Sequence, residues 1–75
     1  MKIKPIASNQ TELHTNSGAV VLFSYQTPVA AQLAEGGFVR TSTKWSKTTS
    51  KHITQWLNGA KAREVDQSVL DGIAA

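Results

Sequence analysis

RTSTKWSKTTSKHITQWLN, residues 40–58, is the stretch at which the chain changes its structural period. On the approach to it, Phe38–Thr43 (FVRTST) alternates, with Phe38, Arg40 and Ser42 on one face and Val39, Thr41 and Thr43 on the other, as a strand requires. From about Lys47 to Asn58 the large apolar residues are Ile53, Trp56 and Leu57, spaced i, i+3 and i+4. Thr49 falls on the same face one turn earlier, and Ala60 one turn later. That is the stripe of an amphipathic helix. Ser46 or Thr48 can cap its start, and Asn58-Gly59 is a good stop. The spacing therefore predicts a strand, a junction at Trp45-Ser46, and a helix that packs Ile53, Trp56 and Leu57 on a sheet.

The rest of the chain supplies that sheet. Lys2–Ile6 reads as a short first strand with Ile3 inward, and Pro5 suits an edge or a strand end because it cannot donate to a ladder. Ala7–Gln10 is turn-like. Thr11–Thr15 alternates, with Leu13 opposed by Glu12 and His14. Asn16-Ser17-Gly18 suits a hairpin, since Asn and Gly tolerate positive φ. Ala19–Tyr25 (AVVLFSY), β-branched and aromatic, is the expected central strand. Gln26-Thr27-Pro28 is a corner or bulge, Val29–Leu33 a strand or short helical turn, and Ala34–Gly37 a second hairpin turn. After the helix, Ala60–Val65 is a connector or short edge strand. Asp66 caps a last helix with Val69, Leu70 and Ile73 as its stripe, and the tail from Gly72 to Ala75 is expected to fray. The fold class is α+β in a single domain, 1–75: a small antiparallel sheet of about three to five strands followed by two short helices.

A chain of 75 residues buries only about 60% of its unfolded surface, so it needs help to be stable. It has no cysteine, hence no disulfide and no thiolate metal site. Two histidines and few carboxylates make neither a metal nor another cofactor expected. That leaves a compact aromatic core and self-association, the latter as a homodimer through a free edge at Lys2–Ile6 or Ala60–Val65. No apolar h-region follows Met1–Pro5, and the longest apolar run, Ala19–Phe23, is far too short for a membrane span. The reading is a soluble, cytoplasmic protein.

Formal net charge is +3, but its distribution says more. Arg40, Lys44, Lys47, Lys51, Lys61 and Arg63 fall between Gly36 and Arg63, a window without an acid. Lys44, Lys47 and Lys51 surround a helix start, where the dipole favours Asp or Glu. With the hydroxyls of Ser46, Thr48, Thr49 and Ser50 they suit an anionic partner, although solvated lysines there also cost little. Trp45 is either a core anchor or an exposed platform. Trp56 and Phe23 are expected in the core, and Tyr25 half-buried. His52 is a boundary histidine that bonds a backbone carbonyl or a strand hydroxyl, or a ligand contact beside Lys51, and His14 faces solvent. No nucleophile elbow, phosphate loop or spaced carboxylate pair is present, so catalysis is not expected. The candidate partner- or anion-binding set is Arg40, Lys44, Trp45, Lys47, Thr48, Thr49, Lys51 and His52.

Two segments, Ser24-Tyr25-x-Thr27-Pro28-Val29-Ala30 and Trp45-Ser46-x-Thr48-Thr49-x-Lys51-His52-Ile53, resemble a pattern found in a family of small uncharacterised proteins of tailed phages and prophages. The resemblance spans Gly18 to Leu57. It implies no activity and no catalytic residue, only a phage or prophage context, in which small accessory proteins bind host components and some block host defence. The expected function is thus a non-enzymatic accessory protein that binds, above all, a host protein. Direct nucleic-acid binding through the same surface is the first alternative, although no helix-turn-helix, RNA-recognition or zinc-finger signature is present. Binding of a small phosphate-containing ligand is the second.

Overall fold

The order of elements is β1 (Lys2–Ala7), β2 (Gln10–His14), β3 (Val20–Ser24), β4 (Thr27–Gln32), β5 (Phe38–Thr41), α1 (Lys47–Leu57), β6 (Arg63–Val65) and α2 (Gln67–Ala74). The structure, a computed structural model, describes residues 2–7 and 9–74; Ser8 of the predicted first turn and Ala75 of the predicted tail lie outside them. The first five strands form a meander in which each is antiparallel to the last, and β6 then joins β5 in parallel. Among the described residues the sheet has six strands, one more than the upper expectation, and is mixed. The extra strand is only three residues long, too short to show a period. It pairs in parallel because α1 acts as the crossover that a parallel connection needs.

The helices cover opposite faces of the sheet, which gives three layers. Leu13, Val21, Ala31 and Val39 lie side by side across β2–β5 and pack with Leu70 of α2. Leu22 and Ala30, on the reverse face, pack with Ile53 and Leu57 of α1. Because β3 is covered on both faces, its sequence runs apolar without alternation. A bulge adjusts β4: Leu22 pairs with Ala30 but Phe23 with Pro28, so Val29 is the extra residue. Val29 and Ala30 consequently both join the α1 side.

The buried core is aliphatic, not aromatic as expected from composition, since no aromatic ring is fully buried among the described residues. Phe23 packs only at the margin of the α2 layer. Phe38 and Trp56 border the α1 layer and meet edge to face, with centroids 6.0 Å apart. Trp56 Nε1 also donates to Glu12 Oε2 at 2.7 Å, tying α1 to β2. Ser46 caps α1, and Asn58 (φ 50°) and Gly59 (φ 86°) end it in the left-handed region, as their residue types favour. In α2, Leu70 is buried but Val69 faces solvent, and Gly72–Ala74 are helical with Ile73 and Ala74 packed on the sheet, so the predicted fraying does not begin at Gly72. Neither helix is long and apolar enough to cross a membrane.

Candidate functional site

The two motif segments meet where β3 ends against the first turns of α1. Ser46 Oγ accepts from Thr49 N (3.1 Å) and donates to Thr49 Oγ1 (3.2 Å). Thr49 Oγ1 is 3.1 Å from Ser24 Oγ, which is 2.8 Å from His52 Nδ1. Ser24 either accepts from Thr49 and donates to a bare Nδ1, or accepts from Nδ1–H and donates to Thr49, as the His52 tautomer decides. A Ser–His contact of this length is the one that nucleophilic catalysis uses. Ser24, however, is only 2% exposed, and among the described residues no carboxylate bonds His52. What the chain of hydroxyls does is fix the helix start to the strand end.

The neighbouring surface is different. Lys44, Lys47 and Lys51 are exposed and, with Trp45, line an open cleft of about 670 Å³. None of the three lysines has an ion-pair partner among the described residues, and no acid lies in the first turn of α1. Trp45 is 50% exposed, yet it is held: its Nε1 donates to Gln67 Oε1 at 3.2 Å. Gln67 is fully engaged. It also accepts from Thr41 Oγ1 (2.8 Å) and donates to the Pro28 carbonyl (2.7 Å) and to Asp71 Oδ1 (3.1 Å). A fixed N–H with an open ring face makes Trp45 a preorganised contact.

Beyond Trp45 lies a smaller cleft of about 230 Å³, whose lining includes Ser24, Tyr25, Thr27, Ser46 and Thr49. Tyr25 is not half-buried as expected but 53% exposed, at the tip of the β3–β4 hairpin, with φ +60°. A two-residue hairpin needs such a conformation, which Gly or Asn adopts cheaply; for tyrosine it costs about 1–3 kcal/mol. Its ring leans on His52, with centroids 6.0 Å apart and planes at 41°. Arg40 lies on β5 opposite Glu64 in register, without an ion pair between them. Its Nε is buried and has no hydrogen-bond partner among the described residues. With Lys44 and Thr43 it lines a third cleft of about 240 Å³.

Of the predicted set, Lys44, Trp45, Lys47, Thr48 and Lys51 are exposed around one helix start, although Thr48 does not line the lysine cleft. Thr49 and His52 are buried and turned to Ser24, and Arg40 is partly buried at the side. Sequence reasoning passed over Tyr25, Thr27 and Gln67. The signal for Tyr25 was a hairpin whose two-residue tip leaves it at the turn. No local signal marks Gln67, because its partners are far away in sequence.

Together these features define a small α+β domain, a mixed sheet between two helices, whose candidate site is an aromatic and basic surface at the β5–α1 junction. Residues 1–72 match the model described as a family of unknown function (DUF8033), and the chain belongs to that family. No curated protein and no solved structure matches it.

Proposed function

We propose that this chain is a non-enzymatic accessory protein of phage or prophage type that works by binding, and that its partner is a nucleic-acid strand held on the β5–α1 junction. The observation that carries the reading is Trp45, half-exposed among three unpaired lysines while Gln67 fixes its indole N–H. Cationic side chains along a groove, interleaved with a fixed ring, are what a flexible polyanion with π-faces requires. The phage setting rests on the resemblance of the two motif segments. The non-enzymatic reading rests on the use of Ser24 and His52 as an internal tie.

An acidic surface of a host protein would answer the same lysines, as charge steering does at many interfaces. The second ring beside the lysine cleft favours the strand.

The test is fluorescence anisotropy at low salt with labelled single-stranded oligothymidylate, a duplex of equal length, and labelled poly-glutamate. Oligothymidylate should bind, several-fold more weakly to Lys44→Ala and Lys47→Ala, and with unchanged affinity to Lys2→Ala on β1. If neither oligonucleotide binds and poly-glutamate does, through the same lysines, the partner is an acidic polypeptide and the nucleic-acid reading fails.

A further inference from the structure

We infer that the cleft between Tyr25 and Trp45 takes one unpaired nucleobase, so that the ligand is single-stranded; this rests on the nucleic-acid reading above. The cleft, at about 230 Å³, is smaller than the roughly 300–1,000 Å³ of drug-sized sites. Two exposed rings border it, one from the β3–β4 hairpin and one from the β5–α1 junction. The rings do not contact each other: among the described residues Tyr25 meets His52, and Trp45 meets no ring.

Each ring is placed by something that stability alone would not select. Trp45 is tethered by Gln67 yet kept half in water. Tyr25 occupies a backbone conformation, φ +60°, that disfavours its own residue type. Strain of this kind, at an exposed residue beside a cleft, is where function is to be sought. The remaining lining is suited to a base edge. Thr27 has a hydroxyl without a partner among the described residues, and exposed Ser46 adds an oxygen with a lone pair to spare. The lysine cleft continues on the other side of Trp45, where the adjoining phosphates of the strand would lie. A base in a duplex would first have to be unstacked, which selects single strands.

The experiment titrates tryptophan emission with oligothymidylate, with an abasic strand of equal length, and with duplex. Trp45 and Trp56 are the two tryptophans of the chain. Oligothymidylate should quench the emission and bind at least about tenfold more tightly than the abasic strand. Trp45→Leu should abolish the quench. Trp45→Leu and Tyr25→Asn should each remove the thymidylate advantage while affinity for the abasic strand stays. Asn accepts positive φ, so Tyr25→Asn keeps the turn, and thermal melts of both variants confirm folding. Equal binding of abasic and thymidylate strands, or duplex bound as well as single strand, would overturn the base cleft but leave a phosphate-binding surface. Failure of every strand to bind would overturn both.

Discussion

Ser24 and Tyr25 are adjacent, and the structure gives them opposite tasks. Ser24 is buried in a line of hydroxyls that ends on His52. Ser24→Ala would take the partner of buried His52 Nδ1 and one of the partners of Thr49 Oγ1, at a cost of about 1–3 kcal/mol. Urea denaturation measures this directly, and a change below about 0.5 kcal/mol would mean that the tie is not structural. Tyr25→Asn should do the reverse. It removes strain of about 1 kcal/mol or more against the loss of a tilted ring contact with His52 worth about 0.5 kcal/mol. The same denaturation should therefore show equal or higher stability. Part of this was legible in the sequence. The helical spacing put Thr49 on the sheet-facing stripe, and His52, one residue from Ile53, was expected to bond a backbone carbonyl or a strand hydroxyl, or to contact a ligand beside Lys51; the structure shows the hydroxyl. Which hydroxyl depends on tertiary register, and spacing is blind to that. Trp45 stayed undecided because it sits at the junction, where neither a period of 2 nor one of 3.6 applies.

Both helices were visible as elements, since caps and stripes are local. Their placement on opposite faces was not, because AVVLF is apolar on both sides and does not say which helix covers which. The two helix starts make contrasting predictions. Lys47 is the first residue of α1, against the dipole. Lys47→Glu should stabilise the fold by about 0.3–1 kcal/mol while it abolishes strand binding. Parallel melts and anisotropy titrations would show the two effects moving apart, and loss of both would mean that Lys47 is structural. At α2, Asp66 Oδ2 accepts from Ser68 Oγ (2.6 Å) and Ser68 N (3.3 Å). The Ser68 hydroxyl first, and the Ser68 N–H second, hold its carboxyl below the usual range. A lowered folded value favours the ionised form. The contribution is therefore full above about pH 4, the unfolded value, and fades as the pH falls below it. Asp66→Ala should lower the melting temperature at pH 7, with the difference from the parent shrinking towards pH 3. A constant difference would assign the loss to the helix residue and not to the carboxylate. Leu70 is the sole buried side chain of α2 among the described residues. Leu70→Ala should cost about 2–5 kcal/mol, a large share of what a domain this size possesses.

At the scale of the whole molecule, an extent of 30 × 24 × 23 Å leaves little surface to spare, and the two helices cover mainly β3, β4 and β5. The edge strand β1 stands clear of them, with Lys2, Lys4, Pro5 and a bulge between Pro5 and Ala7, all features that discourage edge-to-edge pairing. The basic residues are thus split. Lys2 and Lys4 lie on β1, whereas Lys44, Lys47 and Lys51 line one cleft with Trp45. A formal charge of +3 attracts any polyanion, so affinity alone cannot distinguish a general attraction from a defined site. The salt dependence can. Each phosphate neutralised on a single strand adds about 0.7 to the slope of log K against log salt. If Lys44, Lys47 and Lys51 each hold one phosphate, the slope is about −2, and Lys44→Ala should bring it to about −1.4. Lys4→Ala, which removes the same formal charge from β1, should leave the slope unchanged. A titration series from 50 to 200 mM salt reads all three values. If Lys4→Ala lowered the slope as much as Lys44→Ala, the attraction would belong to the net charge of the molecule, and the β5–α1 junction would lose its claim to be the site.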